Sequence, residues 1–234
     1  MNLTVLFWSR NPDHFLWFDH ILGKEGFKSK LVDAQSLLPA IRENETFSIL
    51  FDAEEQTTEV CNLCEAIKND KKNAFLPLIA MIPAGNDDLY LDLLKAGIDE
   101  CFVRPLSPAR ILSYLNTLVD SPMQVGAVPD LKSETALRKF HEITLDATKR
   151  EVEFNGKISQ LGLIEFKLFS RLIDAPGRVF SRSELIRAGW PPNQYVQSRT
   201  VDVHMGHLRR LLTKLLNKPV IRTVRSAGYA LEWD

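Results

Sequence analysis

Two hydrophobic rhythms divide this chain. In its first half, short apolar runs at Leu3–Trp8, Phe47–Phe51, Leu76–Ile82 and Glu100–Val103 read as strands, with a weaker one at Phe27–Val32. Between them, three- and four-residue spacing predicts helices over Pro12–Leu22, Gln35–Asn44, Thr58–Lys68, Asp87–Lys95 and Pro108–Leu118. Such βα alternation is the pattern of a doubly wound parallel sheet. From Asp120 to Thr135 the periodicity lapses, and Ser121-Pro122, Gly126 and Pro129-Asp130 punctuate it. This predicts a linker at 121–135 between domains at 1–120 and 136–234.

The second half begins with strands near Glu142–Leu145, Glu151–Phe154 and Lys157–Gln160, then a helix over Leu163–Asp174. Ser181-Arg182-Ser183-Glu184 is a capping box, in which hydroxyl and carboxylate satisfy the orphan N–H groups at a helix start. That helix should run to about Trp190, and Pro191–Gln197 is the loop that follows. Val201, Met205, Leu208, Leu212, Leu215 and Leu216 then form one apolar stripe on a helix. Its opposite face collects Arg199, Val203, Gly206, His207, Arg210 and Lys214. Alternation in Val220–Val224 and again in Tyr229–Trp233, across a glycine-containing turn, gives a hairpin.

Charge sharpens the division. The chain has 234 residues and a formal net charge of −1. Residues 1–120 hold 11 Lys/Arg against 18 Asp/Glu, whereas residues 121–234 hold 18 against 12. An acidic half joined to a basic half implies that only the C-terminal part meets a polyanion. Between Gln197 and Ser226, seven Lys/Arg face a single acid, Asp202. A cationic helix alone reads as a solvated face. A cationic helix joined to a cationic hairpin tip fits a DNA major groove and the adjoining phosphates. No apolar run approaches the roughly 20 residues that span a bilayer. An export signal is not evident, and three cysteines do not suggest a disulfide scaffold, so a cytoplasmic protein is expected.

Arg199-Thr200-Val201-Asp202-Val203-His204, Leu208-Arg209, Thr223-Val224-Arg225 and Gly228-Tyr229 follow one another in a fixed order. Glu151-Val152, Gly156, Leu161, Glu165-Phe166, Leu168, Pro176–Arg182, Leu185 and Trp190 precede them. In this the chain resembles the winged-helix effector domain of OmpR/PhoB-type response regulators, across its whole C-terminal half. The N-terminal half resembles their flavodoxin-like (βα)5 receiver, with its site at the C-terminal ends of the strands. The resemblance implies an α/β receiver-type domain followed by an α+β winged helix that binds double-stranded DNA. It implies Arg199 and His204 on phosphates with Arg209 beside them, Val203 against a thymine methyl, and Thr223 and Arg225 on backbone and minor groove. Arg210 shares the DNA-facing side, and His207, where relatives commonly have a basic residue, becomes a candidate base reader. Gly206 also departs from the basic residue common there, which suits a close backbone approach.

The receiver pattern is broken. Asp52 falls at the phosphoryl-acceptor position after Ser48-Ile49-Leu50-Phe51. The acidic pair that would hold Mg²⁺ is replaced by Trp8-Ser9, the hydroxyl position is Pro83, and Arg104 stands where the family has lysine. Arg104 is expected to form an ion pair with Asp52 that holds the carboxylate unmodified. The reading is therefore a phosphorylation-independent regulator rather than an enzyme. The alternatives are a conventional regulator using Asp52, or a protein-binding adaptor with weakened DNA readout.

The resemblance also implies a homodimer through the receiver-like domain, using Lys95, Asp99, Glu100, Arg110, Ile111 and Tyr114, with apolar contact from Ile111, Leu112 and Leu115. RNA polymerase is a further candidate partner; no membrane partner, cofactor or metal is called for. Cys61-x-x-Cys64 sits within a helical stretch and reads as core or surface cysteine. His14, His20 and His141 have no second ligand at metal spacing.

Overall fold

The computed structural model describes residues 3–43, 45–53, 57–70, 72–120, 137–191 and 196–233. The chain folds as two compact units, Met1–Thr117 and Leu118–Asp234. The expected linker at 121–135 lies outside the described residues.

The first unit alternates β1 (Thr4–Trp8), α1 (Pro12–Lys24), β2 (Lys28–Val32), α2 (Leu37–Glu43), β3 (Thr46–Asp52), α3 (Thr57–Asn69), β4 (Leu78–Ile82), α4 (Asp87–Ala96), β5 (Glu100–Val103) and α5 (Pro108–Asp120). The strands form one parallel sheet in the order β2-β1-β3-β4-β5, the flavodoxin-like arrangement. Because helices cover both faces, the central strands are apolar throughout: Val5–Trp8, Ile49–Phe51 and Leu78–Ile82 are buried. Edge strand β2 instead exposes Lys28 and Lys30, which blunts further pairing. β1 and β3 are the neighbours at which the strand order reverses, the switch point where the carboxyl ends of such a sheet open a crevice.

α2 begins later than its apolar spacing predicts. Asp33 Oδ1 accepts from Gln35 N at 3.1 Å and Ser36 N at 2.8 Å, an Asx turn that competes with helix over those residues.

The second unit opens with a four-stranded antiparallel sheet, β6 (Leu137–Phe140), β7 (Ile143–Asp146), β8 (Glu151–Phe154) and β9 (Lys157–Gln160). β6 was not visible in the pattern because Leu137–Lys139 are all exposed. It forms by turning back through His141, at φ 51°, so that Phe140 pairs with Ile143. Then come α6 (Leu163–Ile173), α7 (Arg182–Gly189), α8 (Ser198–Leu216) and the hairpin β10 (Ile221–Val224) with β11 (Gly228–Leu231). α7 starts with the capping box, Ser181 Oγ accepting from Glu184 N and Glu184 accepting from Ser181 N. The stripe of α8 packs Val201, Met205, Leu208 and Leu212 at 0% exposure against Leu168, Phe169 and Phe180. Buried apolar side chains thus fix which face of α8 looks outward. At Asn217, φ 57° ends that helix in a left-handed cap.

Candidate functional site

The crevice in the first unit gathers Asp52, Ser9, His14 and Arg104. Asp52 ends β3 and its side chain is only 3% exposed. Its Oδ2 accepts from Ser9 Oγ at 2.7 Å and lies 2.8 Å from His14 Nδ1. Its Oδ1 is paired with the Arg104 guanidinium, which reaches across from the end of β5. Ser9 is itself fixed, since its Oγ accepts from Asn11 N at 2.9 Å. Trp8, preceding it, turns into the core at 3% exposure beside Phe51. Pro83 follows β4, where the chain is held by Arg104 N donating to Ile82 O at 2.9 Å. Sequence reasoning gave His14 no part here; its position in the first turn of α1 places it over the carboxyl end of β1.

In the second unit, α8 presents Arg199, Arg210 and Lys214 to solvent, with Val203 half-buried among them. Thr223 and Arg225 are exposed on the hairpin. Arg209 is committed within the unit: its Nε donates to Ile221 O at 3.2 Å and its NH2 to Thr223 Oγ1 at 2.5 Å. The single acid of the basic run is likewise engaged. Asp202 Oδ1 accepts from Tyr229 Oη at 2.6 Å and Arg182 Nε at 2.7 Å, which ties α7, α8 and the hairpin together. Burial and the Asp202 hydrogen bond push the Tyr229 phenol up to about 12.

Gly206 lies on α8 with open space around it; a Cβ there meets nothing within 4 Å. Nothing inside the unit requires glycine, so Gly206→Ala should raise its stability by about 0.5–1 kcal/mol through helix propensity. Urea denaturation of the two chains checks this.

His204 departs from its expected role. It is 1% exposed, with Nδ1 2.8 Å from Glu165 Oε1 and its ring edge-on to Trp190. A side chain so enclosed cannot lie on a DNA phosphate; the stripe geometry turns it inward beside Met205. His207, one turn on, also faces that carboxylate, its Nδ1 3.8 Å from Oε1 and its side chain 22% exposed. Sequence reasoning did not group these residues: ligand atoms of Glu165, His204 and His207 lie within 4.8 Å of one another. Sequence spacing could not show this, because 39 residues separate Glu165 from His204.

Burial of Glu165 works against its ionisation, but His204 and His207 outweigh it and hold the carboxyl well below the usual range. A depressed folded value contributes stability that is present above the unfolded value and lost as pH falls through the folded one. Glu165→Gln should therefore lower the urea midpoint at pH 7 and flatten the loss of stability below about pH 4.5. A wild-type acid limb in the variant would contradict this assignment.

The expected dimer residues are only partly available. Asp99 is buried, accepting from Lys68 Nζ at 2.9 Å and Leu78 N at 2.8 Å. Glu100, Ile111, Tyr114 and Leu115 are buried in their own unit, Tyr114 edge-on to Phe102. The stripe of α5 that was expected to meet a second copy is the one that covers the sheet. Lys95 pairs with Asp92 at 2.8 Å on the surface, and Arg110 lies exposed over Phe102. No described helix is long and apolar enough to cross a membrane.

Comparison with known proteins agrees with this architecture. Residues 156–231 match the family model "Transcriptional regulatory protein, C terminal". The phosphate regulon transcriptional regulatory protein PhoB of Rhizobium meliloti (strain 1021) is 35% identical over 170 residues, 73% of this chain and 72% of that one. PhoB of Escherichia coli (strain K12) is 28% identical over 165 residues, covering 70% of this chain and 68% of the other. The solved structure of a RitR mutant superposes with a TM-score of 0.70 at 17% identity over the full length of both chains, a likeness of fold.

Proposed function

The chain belongs to the OmpR/PhoB family of response regulators, DNA-binding transcription regulators, and from that premise we propose that it acts without phosphorylation of Asp52. In this reading residues 1–120 form a receiver-like domain and 136–234 the DNA-binding domain. The observation that carries it is the occupancy of Asp52. Arg104, Ser9 and His14 already take up the carboxylate oxygens that a phosphoryl donor must approach. Mg²⁺ would need further anionic oxygens, and the chain places Trp8 and Ser9 at those positions. With Pro83 in place of a hydroxyl, no side chain there can follow a phosphoryl group. A charge already neutralised biases a two-state domain permanently toward one arrangement.

For DNA, the reading assigns phosphate contacts to exposed Arg199, Arg210 and Arg225, with Thr223 beside them and Val203 available to a thymine methyl. Arg209 supports the hairpin from behind. The dimeric part of the reading rests on the exposed remainder of the α4–β5–α5 face, Lys95, Val103 and Arg110. Sedimentation of the full chain as a monomer at high micromolar concentration would remove that part alone.

The test uses the full chain and a duplex selected from genomic fragments. Affinity should fall steeply with salt, by ~10³ or more between 50 and 200 mM if some six phosphates are neutralised. Arg199→Ala should weaken specific and random duplexes alike, because a phosphate contact carries no base information. Beryllofluoride with Mg²⁺ should leave affinity unchanged, and Asp52→Asn should do the same. A gain with beryllofluoride that Asp52→Asn abolishes would restore the conventional phosphorylated switch.

A further inference from the structure

We propose that Glu165, His204 and His207 form a binding site for one divalent transition-metal ion of the Zn²⁺ class, fastening α6 to α8. The inference stands apart from the DNA reading and concerns a site within the second unit.

The geometry supplies the first argument. His204 and His207 are three residues apart on α8 and so share a face of that helix. Glu165 comes from the first turn of α6 and meets both rings with one oxygen: Oε1 is 2.8 Å from Nδ1 of His204 and 3.8 Å from Nδ1 of His207. Bonds of about 2.0–2.2 Å to a tetrahedral ion set its ligand atoms roughly 3.3–3.5 Å apart. The observed triangle, with no edge above 4.8 Å, closes to that size by small rotations. Partly exposed His207 has the freedom to make them.

The donor set supplies the second. Two imidazoles and one carboxylate suit zinc and its neighbours, whereas a hard cation such as Mg²⁺ or Ca²⁺ wants more oxygens than one carboxylate offers. Glu165 Oε2 is buried and has no hydrogen-bond partner among the described residues, so the carboxylate retains acceptor capacity that the fold does not use. Trp190, edge-on to His204 at 5.5 Å between ring centres, restricts the ring's orientation and walls the site with apolar surface. A fourth position remains for water or an outside donor on the His207 side, where the cluster meets solvent. Coordination through Nδ1 displaces the hydrogen that His204 donates to Glu165, and a neutral ring answers by carrying its hydrogen on Nε2 instead.

Titration of the chelator-stripped full chain with Co²⁺, and separately with Zn²⁺, tests the proposal. The expected result is one ion per chain at micromolar concentration. The visible cobalt spectrum should be that of a low-coordinate nitrogen–oxygen site, without a thiolate charge-transfer band. Zn²⁺ should also raise the unfolding midpoint, since it binds the folded state alone. His207→Ala, a change at a partly exposed position, should weaken binding by at least about tenfold and cancel the rise in midpoint. Glu165→Gln should weaken it similarly, and His20→Ala should leave it unchanged. Absence of binding overturns the proposal, as does binding that persists in both His207→Ala and Glu165→Gln. A thiolate band overturns it too, since it would move the ion to Cys61 and Cys64.

Discussion

Alanine at Gly228 is expected to unfold the hairpin of the second unit. The residue sits at φ 148°, outside the range that side chains adopt readily. A Cβ there would lie 1.9 Å from Phe180 O, 2.8 Å from its carbonyl carbon and 3.0 Å from Ser181 Cα. All three are backbone atoms, so no rotamer change relieves the clash. They also belong to the bridge that seats the hairpin: Phe180 N donates to Tyr229 O at 2.8 Å, and Tyr229 N to Phe180 O at 3.0 Å. Moving either strand aside forfeits both bonds and uncovers Phe180, a fully buried ring. A loss of about 4 kcal/mol or more follows from strain and lost packing together. Hydrogen exchange should show β10 and β11 unprotected in Gly228→Ala, with duplex affinity falling in parallel. Protection equal to the wild type would mean that the Phe180–Tyr229 bridge is not what holds the hairpin.

The second large effect concerns Arg104. Asp52 is almost wholly buried, and Arg104 is its strongest counter-charge. Arg104→Met keeps the stem but leaves the carboxylate with only the Ser9 hydroxyl and His14. Removing one partner of a buried pair costs about 3–5 kcal/mol, mostly because the surviving charge is uncompensated. The partial exposure of Arg104 places the expected loss at the lower end, about 3 kcal/mol. Asp52→Asn should be milder, because an amide still accepts from Ser9. Combining Arg104→Met with Asp52→Asn should recover much of the loss, and that recovery distinguishes an uncompensated charge from damage to packing. Urea denaturation of the four chains in a double-mutant cycle gives the coupling. Additive losses would contradict the pairing.

The strands of the parallel sheet and the helical core were legible because burial on both faces writes continuous apolar runs, as in Leu78–Ile82, and burial on one face writes a stripe, as in Val201–Leu212. Where neither condition holds, the pattern is silent. β6 exposes Leu137–Lys139 and forms through its hairpin pairing with β7, which an apolar pattern does not announce. Asp52 and Arg104 could be connected because family topology places both at strand ends. His14 could not, since its part depends on how the first turn of α1 leans over β1. The burial of Ile111 and Tyr114, two of the expected dimer residues, was illegible for a related reason. Resemblance says which element lies at a face but not which way Ile111 or Tyr114 turns, and the apolar ones turn toward the sheet. Glu165 was visible as a family residue, yet its partners on α8 emerge only when two helices cross.

The bond between Arg209 and Thr223 carries a lesson for anyone dissecting this surface by alanine scanning. The two side chains form one strut, so truncating either slackens the other as well as the carbonyl of Ile221 that shares the guanidinium. Losses measured singly would each contain the same event, and their sum would overstate what the pair contributes to holding a duplex. The strut is one thermodynamic unit spread over two positions in the chain.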